Sequence, residues 1–363
     1  MATAWKNPLH QTSQTTKTDF WNDSCSIAEL TYAVENGAVG GTTNPIIVSQ
    51  VLKKELAQWT PRIKELAVQL PTASEEVIAW QIIEEMALKA AAVLKPIYDK
   101  TKGRKGRLSI QTNAKFYRDA KAMVEQAVHF NELYPNNNVK MPVTKAGIEA
   151  FEECTYRGVS VNATVSFTVA QAIQVAEAVE RGLKRREKEG KDTSSMSPIC
   201  TIMVGRTDDW IKKVVEKKGI ILDPGIMEWA GVAVMKKAYT LYKERGYRTR
   251  LLAAAYRNHM HWSEFIGGDL SLTIPYDWQV KFNASDIEVK SRIDNPVDPK
   301  IIAELSAKVP AFNQAYDEKG LTLEQFETYG ATSRTLRGFL TGYEDLLKMV
   351  RDIMLPDPDI KGE

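Results

Sequence analysis

The sequence predicts an α/β protein, a (β/α)8 TIM barrel with additional helices, including C-terminal ones. Three observations point there. Short β-rich runs recur eight times, helical patterns separate them, and the ends of otherwise apolar runs carry polar residues. Repeated strand-then-helix order argues for parallel strands joined by helical crossovers. Eight such units suit a closed barrel of about 250 residues.

The runs are, in order, TDFWN near 18–22, AVGGTT near 38–43, RLSIQT near 107–112 and NVKMPV near 138–143. They continue with VSVNAT near 159–164, PICTIMV near 198–204, RLLAAAY near 250–256 and LSLTIP near 270–275. Between them, residues 74–95 place Val77, Trp80, Ile83, Ala87, Ala90 and Leu94 three or four apart, one face of a helix. Thr72 and Glu75 offer a capping box ahead of it. Val169, Ala172, Ile173, Ala176 and Val179 form a second such face. The length beyond a minimal barrel falls in a pair of helices at 49–99 and in the tail. The expected organisation is one barrel domain over 1–363, with an N-terminal extension at 1–17 and a C-terminal helical region at 285–363. An open doubly wound sheet is the alternative. No G-x-G-x-x-G follows the first run, so dinucleotide binding lacks its usual signal.

Bulk properties exclude several classes. The 363 residues carry a net charge of +2, which gives no general attraction to nucleic acid or acidic membranes. The three cysteines, Cys25, Cys154 and Cys200, form no C-x-x-C pair, so neither a zinc site nor a disulfide framework is indicated. No run of about 18 apolar residues suggests a membrane span, and the N-terminus lacks an apolar signal core. A reducing cytoplasm is the expected compartment. Two basic runs, KTKGRKGR at 100–107 and RGLKRREKEGK at 181–191, read as solvated helix C-termini, where cations are favoured.

In a barrel, reactive groups gather at the C-terminal ends of the strands. Here those ends carry Asp23, Asn44, Gln111, Lys140, Asn162, Thr164, Thr201, Arg206 and Arg257. Lys140 stands out because Val139 and Met141 flank it in a run that should be apolar. A buried lysine with a depressed pKa is an amine nucleophile that can form a Schiff base with a carbonyl compound. The alternative is a lysine that snorkels to solvent or pairs with Asp23. Asn44-Pro45 reads equally as the start of a helix. Asn162 and Thr164, two apart in a strand, share one side. Arg206 and Arg257 suit a phosphate if they converge, or are surface arginines paired with Asp208 or Asp209.

These residues lie in motifs that resemble the class I transaldolases and the related fructose-6-phosphate aldolases. The motifs are NDSCS at 22–26, GGTTNP at 40–45, VKMP at 139–142, VSVNATVSFTVAQA at 159–172, MVGRTDDW at 203–210 and AAYRN at 254–258. The resemblance implies that Lys140 is the Schiff-base lysine and Asp23 the carboxylate that assists proton transfer. It implies that Asn44 and Asn162 hold donor hydroxyls, that Thr164 orients a catalytic water, and that Arg206 and Arg257 bind a phosphate. The implied activity is transfer of a dihydroxyacetone unit between sugar phosphates, a ketose donor and an aldose acceptor, within the pentose phosphate pathway. It requires no cofactor and no metal, and the resemblance admits a homodimer.

The sequence departs from the family pattern at four positions. Gln111 stands where a transaldolase has glutamate, as in the fructose-6-phosphate aldolases. Met203 replaces phenylalanine or tyrosine, Thr201 replaces serine, and Ala255 replaces a phosphate-binding serine. An amide cannot carry a proton as a carboxyl can. Two further readings follow: an aldolase that releases free dihydroxyacetone, and a catalytically silent barrel that binds sugar phosphates. A sugar-phosphate isomerase on the same fold is a third.

Overall fold

Eight parallel strands close on themselves in sequence order. They are β1 (Asp19–Asn22), β2 (Gly40–Thr42), β3 (Arg107–Gln111), β4 (Asn137–Pro142), β5 (Val161–Ser166), β6 (Ile199–Ile202), β7 (Arg250–Ala253) and β8 (Ser271–Ile274). The barrel closes where β1 pairs with β8. The computed structural model describes residues 5–359. Residues 1–4 and 360–363, the outer parts of the two expected terminal extensions, lie outside the described residues.

The strands begin and end where hydrogen-bond partners exist, not where apolar runs do. In the run at 38–43 the strand is Gly40–Thr42, with backbone bonds at Val39 and Thr43 continuing its edges. The run at 250–256 stops at Ala253, because Ala255 takes a left-handed conformation with φ 67°. β5 runs on to Ser166 through a bulge, with Val165 at φ 57°. A β-branched residue in that region is strained, by about 1–3 kcal/mol. Bulges of this kind re-aim side chains beside functional sites.

Trp21, Ile199, Leu252 and Ala254 fill the lumen. Gly40 makes room for the indole, since a Cβ there would sit 2.5 Å from the Trp21 ring. A closed barrel cannot splay to relieve that contact. Gly40→Ala is therefore expected to lower stability by roughly 1–3 kcal/mol, measured by urea unfolding. Gly338→Ala, whose nearest atom would be 4.0 Å away, serves as the control.

The N-terminal end of the barrel corrects the reading of the first basic run. Arg107 is buried and donates to the carbonyls of Gly103, Asn137 and Ser195 at 2.8, 2.7 and 2.6 Å. Lys105 and Arg250 both pair with the buried Asp19 carboxylate. These cations plug the bottom of the barrel. The second run does lie at the exposed end of the helix Val169–Lys188, where Arg181 and Arg185 pair with Glu152.

Two helical expectations also change. The long helix spans Glu75–Lys100, and Ser74, not Thr72, caps it by accepting from the Val77 N–H. Ile83, Ala87, Ala90 and Leu94 are buried as expected and Trp80 is partly buried, whereas Val77 is 47% exposed, and Ile78, Ile82 and Met86 extend the packed face. The stretch at 49–99 holds the end of a helix from Pro45 to Lys54, then Leu56–Gln69, then most of Glu75–Lys100, instead of a pair.

The last helix, Gly330–Met354, packs on the helices Pro45–Lys54, Glu75–Lys100 and Val204–Lys218 and reaches β5. Its buried stripe, Thr332, Thr335, Leu336, Phe339, Tyr343, Leu346 and Val350, follows helical spacing. Its N-terminal turn is thereby brought close to the C-terminal ends of the strands.

Candidate active site

Register places three of the expected residues side by side. Gln111 pairs with Lys140, and Lys140 with Asn162, across β3, β4 and β5. Lys140 is 2% exposed. Its Nζ donates to the Thr43 carbonyl at 3.3 Å. Burial pulls its pKa down to about 8, against the upward pull of Asp23, and the charge of Arg206 lowers it further. Neighbouring Val139 and Met141 belong to the apolar core around the barrel, so alternation turns the lysine inward.

Asp23 follows β1, its N–H donating to the Ile274 carbonyl at 3.1 Å. Its carboxylate accepts from Thr42 Oγ1 at 2.6 Å, and Thr42 in turn meets Thr273 Oγ1 at 2.5 Å. Burial raises its pKa, opposed by Lys140, the Thr42 hydrogen bond and Arg206. Among the described residues no ion pair joins it to Lys140. The two groups therefore share one field without a direct contact, and desolvation pushes both toward neutrality.

Asn162 is fixed on both sides. Its amide donates to Ser109 Oγ at 2.9 Å, and its oxygen accepts from Thr201 Oγ1 at 2.7 Å. Gln111 Oε1 and Thr164 Oγ1, by contrast, are buried with no partner among protein atoms. Such atoms cost free energy unless a water or ligand reaches them. Asn44 caps the helix Pro45–Lys54, its oxygen accepting from the N–H groups of Ile46 and Ile47 at 3.0 Å each. Met203 is buried at the N-terminus of the helix Val204–Lys218, its carbonyl accepting from the Arg206 N–H at 3.0 Å.

The two arginines are treated differently. Arg206 forms no ion pair among the described residues. It donates to Thr335 Oγ1 at 3.2 Å and lies over the Phe339 ring at 5.4 Å. Burial and the neighbouring Arg257 both destabilise its charge. Arg257 is 40% exposed and held by Asp209 through Nε at 2.9 Å and Nη2 at 2.7 Å. Asp208 pairs instead with the fully buried His261, whose Nε2 lies 2.8 Å from Asp208 Oδ2. His261 Nδ1 accepts from the Arg257 N–H at 3.0 Å, which assigns the remaining ring proton to Nε2.

Arg206 and Arg257 line one cavity of about 170 Å³ with Asp209, Trp210, Arg334 and Thr335. Trp210 Nε1 is buried there without a partner. The helices Val204–Lys218 and Gly330–Met354 both begin beside it, and helix N-termini favour anions. Trp210, Arg334 and Thr335 were not anticipated from the sequence. Arg334 and Thr335 come from the far end of the chain, where only a buried helical stripe is visible.

Chemically, this mouth joins a dry amine, a nearby carboxyl, open hydrogen-bonding groups and a cationic cavity. Residues 20–349 match the Transaldolase/Fructose-6-phosphate aldolase family. Transaldolase 1 of Streptomyces avermitilis is 32% identical over 236 residues, 64% of this chain and 61% of that protein. The transaldolase of Acidothermus cellulolyticus is 31% identical over 212 residues, 57% of this chain and 55% of that protein. The transaldolase of Mycobacterium leprae (strain TN) is 31% identical over 221 residues, 60% of this chain and 58% of that protein. The matched stretch thus spans less than two thirds of these relatives' own length. With the family matched over nearly the whole chain and the barrel closed in strand order, the protein belongs to the Transaldolase/Fructose-6-phosphate aldolase family.

Proposed function

We propose that this chain transfers a dihydroxyacetone unit from a ketose phosphate to an aldose phosphate through a Schiff base on Lys140. The burial of Lys140, with its pKa drawn down to about 8, carries this reading. At pH 7 about one amine in ten is then unprotonated, against about one in three thousand at a pKa of 10.5. A free amine attacks the ketone, water leaves, and a cationic imine forms. Asp23 takes the proton of the C4 hydroxyl, the C3–C4 bond breaks, and its electron pair moves to the imine nitrogen. An aldose phosphate departs, and the three-carbon enamine stays on Lys140. An acceptor aldehyde captures that enamine in the reverse sequence.

Asn44 and Asn162 each keep amide hydrogen to offer to donor hydroxyls. Thr164 and Gln111, both with an unpartnered oxygen, would hold a water. Gln111 cannot itself carry a proton, so hydrolytic release of the enamine must draw its proton through that water. Arg206 and Arg257 would take the phosphate, with Arg334 and the Trp210 N–H completing the cavity. A phosphate there competes with Asp209 for Arg257. These additional donors offset the hydroxyl absent at Ala255.

Borohydride reduction in the presence of fructose 6-phosphate tests the reading. Peptide mass mapping is expected to find a reduced three-carbon adduct on Lys140. Binding of the sugar phosphate without any adduct would leave a silent barrel instead. Release of free dihydroxyacetone at a rate independent of added aldose phosphate would make the enzyme an aldolase.

A further inference from the structure

Arg257 is held at its main chain as well as at its guanidinium, and the two holds differ in kind. β7 ends at Ala253, and Ala255 turns the chain at φ 67°. Past that turn the Arg257 N–H donates to a side chain, His261 Nδ1, at 3.0 Å. His261 Nε2 in turn lies 2.8 Å from Asp208 Oδ2, and Asp208 Oδ1 accepts from the Gly231 N–H at 2.7 Å. Both side chains are fully buried. Each ring nitrogen and each carboxylate oxygen thus has a partner. The hold on the guanidinium is open to solvent: Arg257 is 40% exposed and its partner Asp209 is 39% exposed.

Asp208 and Asp209 are consecutive residues of the helix Val204–Lys218, which also carries Arg206. A Cβ on Gly205 would meet the Ala255 carbonyl at 1.8 Å and Arg257 Cγ at 2.9 Å, so this helix lies directly against the turn that leads to Arg257. One helix therefore supplies the first arginine of the cavity and registers the second one twice. Asp209 holds its side chain, and Asp208 holds its main chain through His261. The two links respond differently to a phosphate. The exposed Asp209 carboxylate competes with it for the guanidinium, whereas the buried pair is out of its reach. A buried ionic pair is weak ground for stability alone, since an apolar pair of similar volume is often as stable. A fully satisfied buried network does fix one geometry. Here the Asp208 carboxylate fixes the tautomer that leaves Nδ1 free to accept from the main chain.

We propose that Asp208 and His261 are positioning residues, which keep Arg257 in register with Arg206 while a phosphate displaces Asp209. The assignment deepens the sugar-phosphate reading above and rests on its anion site. Neither residue touches substrate, and no bond to either is made or broken. Their effect falls on recognition of the phosphate end and not on the amine chemistry at Lys140. Asp209 has the opposite part: it occupies the guanidinium until the anion arrives.

His261→Phe tests it, because it keeps the ring that meets Tyr256 edge-on at 6.2 Å and removes the two nitrogens. Calorimetric titration with inorganic phosphate, well below Tm, is expected to show binding about tenfold weaker than in the unsubstituted protein, the effect of one lost hydrogen bond. KM for fructose 6-phosphate should rise by a similar factor, with kcat within threefold. Asp209→Asn should instead tighten phosphate, since the competing charge is gone. If the unmatched Asp208 carboxylate prevents folding, Asp208→Leu/His261→Phe removes both partners together, and the same tenfold loss is expected. Phosphate affinity within twofold of the unsubstituted protein would overturn the assignment, even if Tm falls, since that marks a purely structural pair. So would a fall in kcat at unchanged KM, or equal weakening by Asp209→Asn. An unsubstituted protein that binds no phosphate refutes the anion site itself, whereas phosphate binding that His261→Phe leaves unchanged refutes only the role of this pair.

Discussion

Lys140→Met is expected to abolish turnover and, at neutral pH, to make the protein more stable. The loss should be on the order of 10⁴-fold or more, as for other covalent nucleophiles. The gain in stability follows from linkage. The folded-state pKa of Lys140 is about 8 against an ordinary 10.5, so the unfolded chain binds this proton more tightly. Below pH 8 the folded state bears the full penalty, roughly 3 kcal/mol at about 1.4 kcal/mol per pKa unit. The penalty shrinks as pH rises from 8 to 10.5 and vanishes above it. A methionine of similar volume removes it at every pH. Urea unfolding of both proteins at pH 7 and pH 10 should therefore show a stability gap that narrows with pH. An equal gap at both values would mean that the amine is already solvated or paired. Unsubstituted enzyme should also lose kcat/KM as pH falls below 8.

Asp23→Asn should lower kcat by 10²–10⁴-fold, the range for a lost general base. An amide cannot accept the C4 hydroxyl proton, yet it can keep the hydrogen bond from Thr42. The second consequence carries a sign. Asp23 raises the Lys140 pKa, so removing its charge lets burial lower that pKa further. The acid limb of kcat/KM is then expected to shift below pH 8 even as kcat falls, and borohydride trapping on Lys140 should survive. A limb that moves upward, or a kcat within tenfold of the unsubstituted enzyme, would remove Asp23 from the proton-transfer role.

The barrel was legible because strands and helices differ in hydrophobic period, and the alternation recurs eight times. Lys140 was legible for a related reason: a charge between Val139 and Met141 violates the local pattern, and such violations concentrate where function overrides packing. Strand limits were less so. Whether Ala254 or Ser166 belongs to a strand depends on the partner strand and on the turns at Val165 and Ala255, which no local pattern reveals. The fate of Lys105 and Arg107 was hidden because their partners, Asp19 and the carbonyls of Asn137 and Ser195, are distant in sequence. The same holds for Thr335, which meets Arg206 from 129 residues away.

The final helix begins at the rim of the arginine-lined cavity and runs back along the outside of the barrel. An anion shared by Arg206 and Arg334 would be clasped between two parts of the molecule that are far apart along the chain. Affinity for that anion and the tendency of the carboxyl-terminal segment to fray are then one thermodynamic quantity seen from two ends. Whatever loosens residues 330–354 must weaken the ligand by the same factor by which the ligand holds them down.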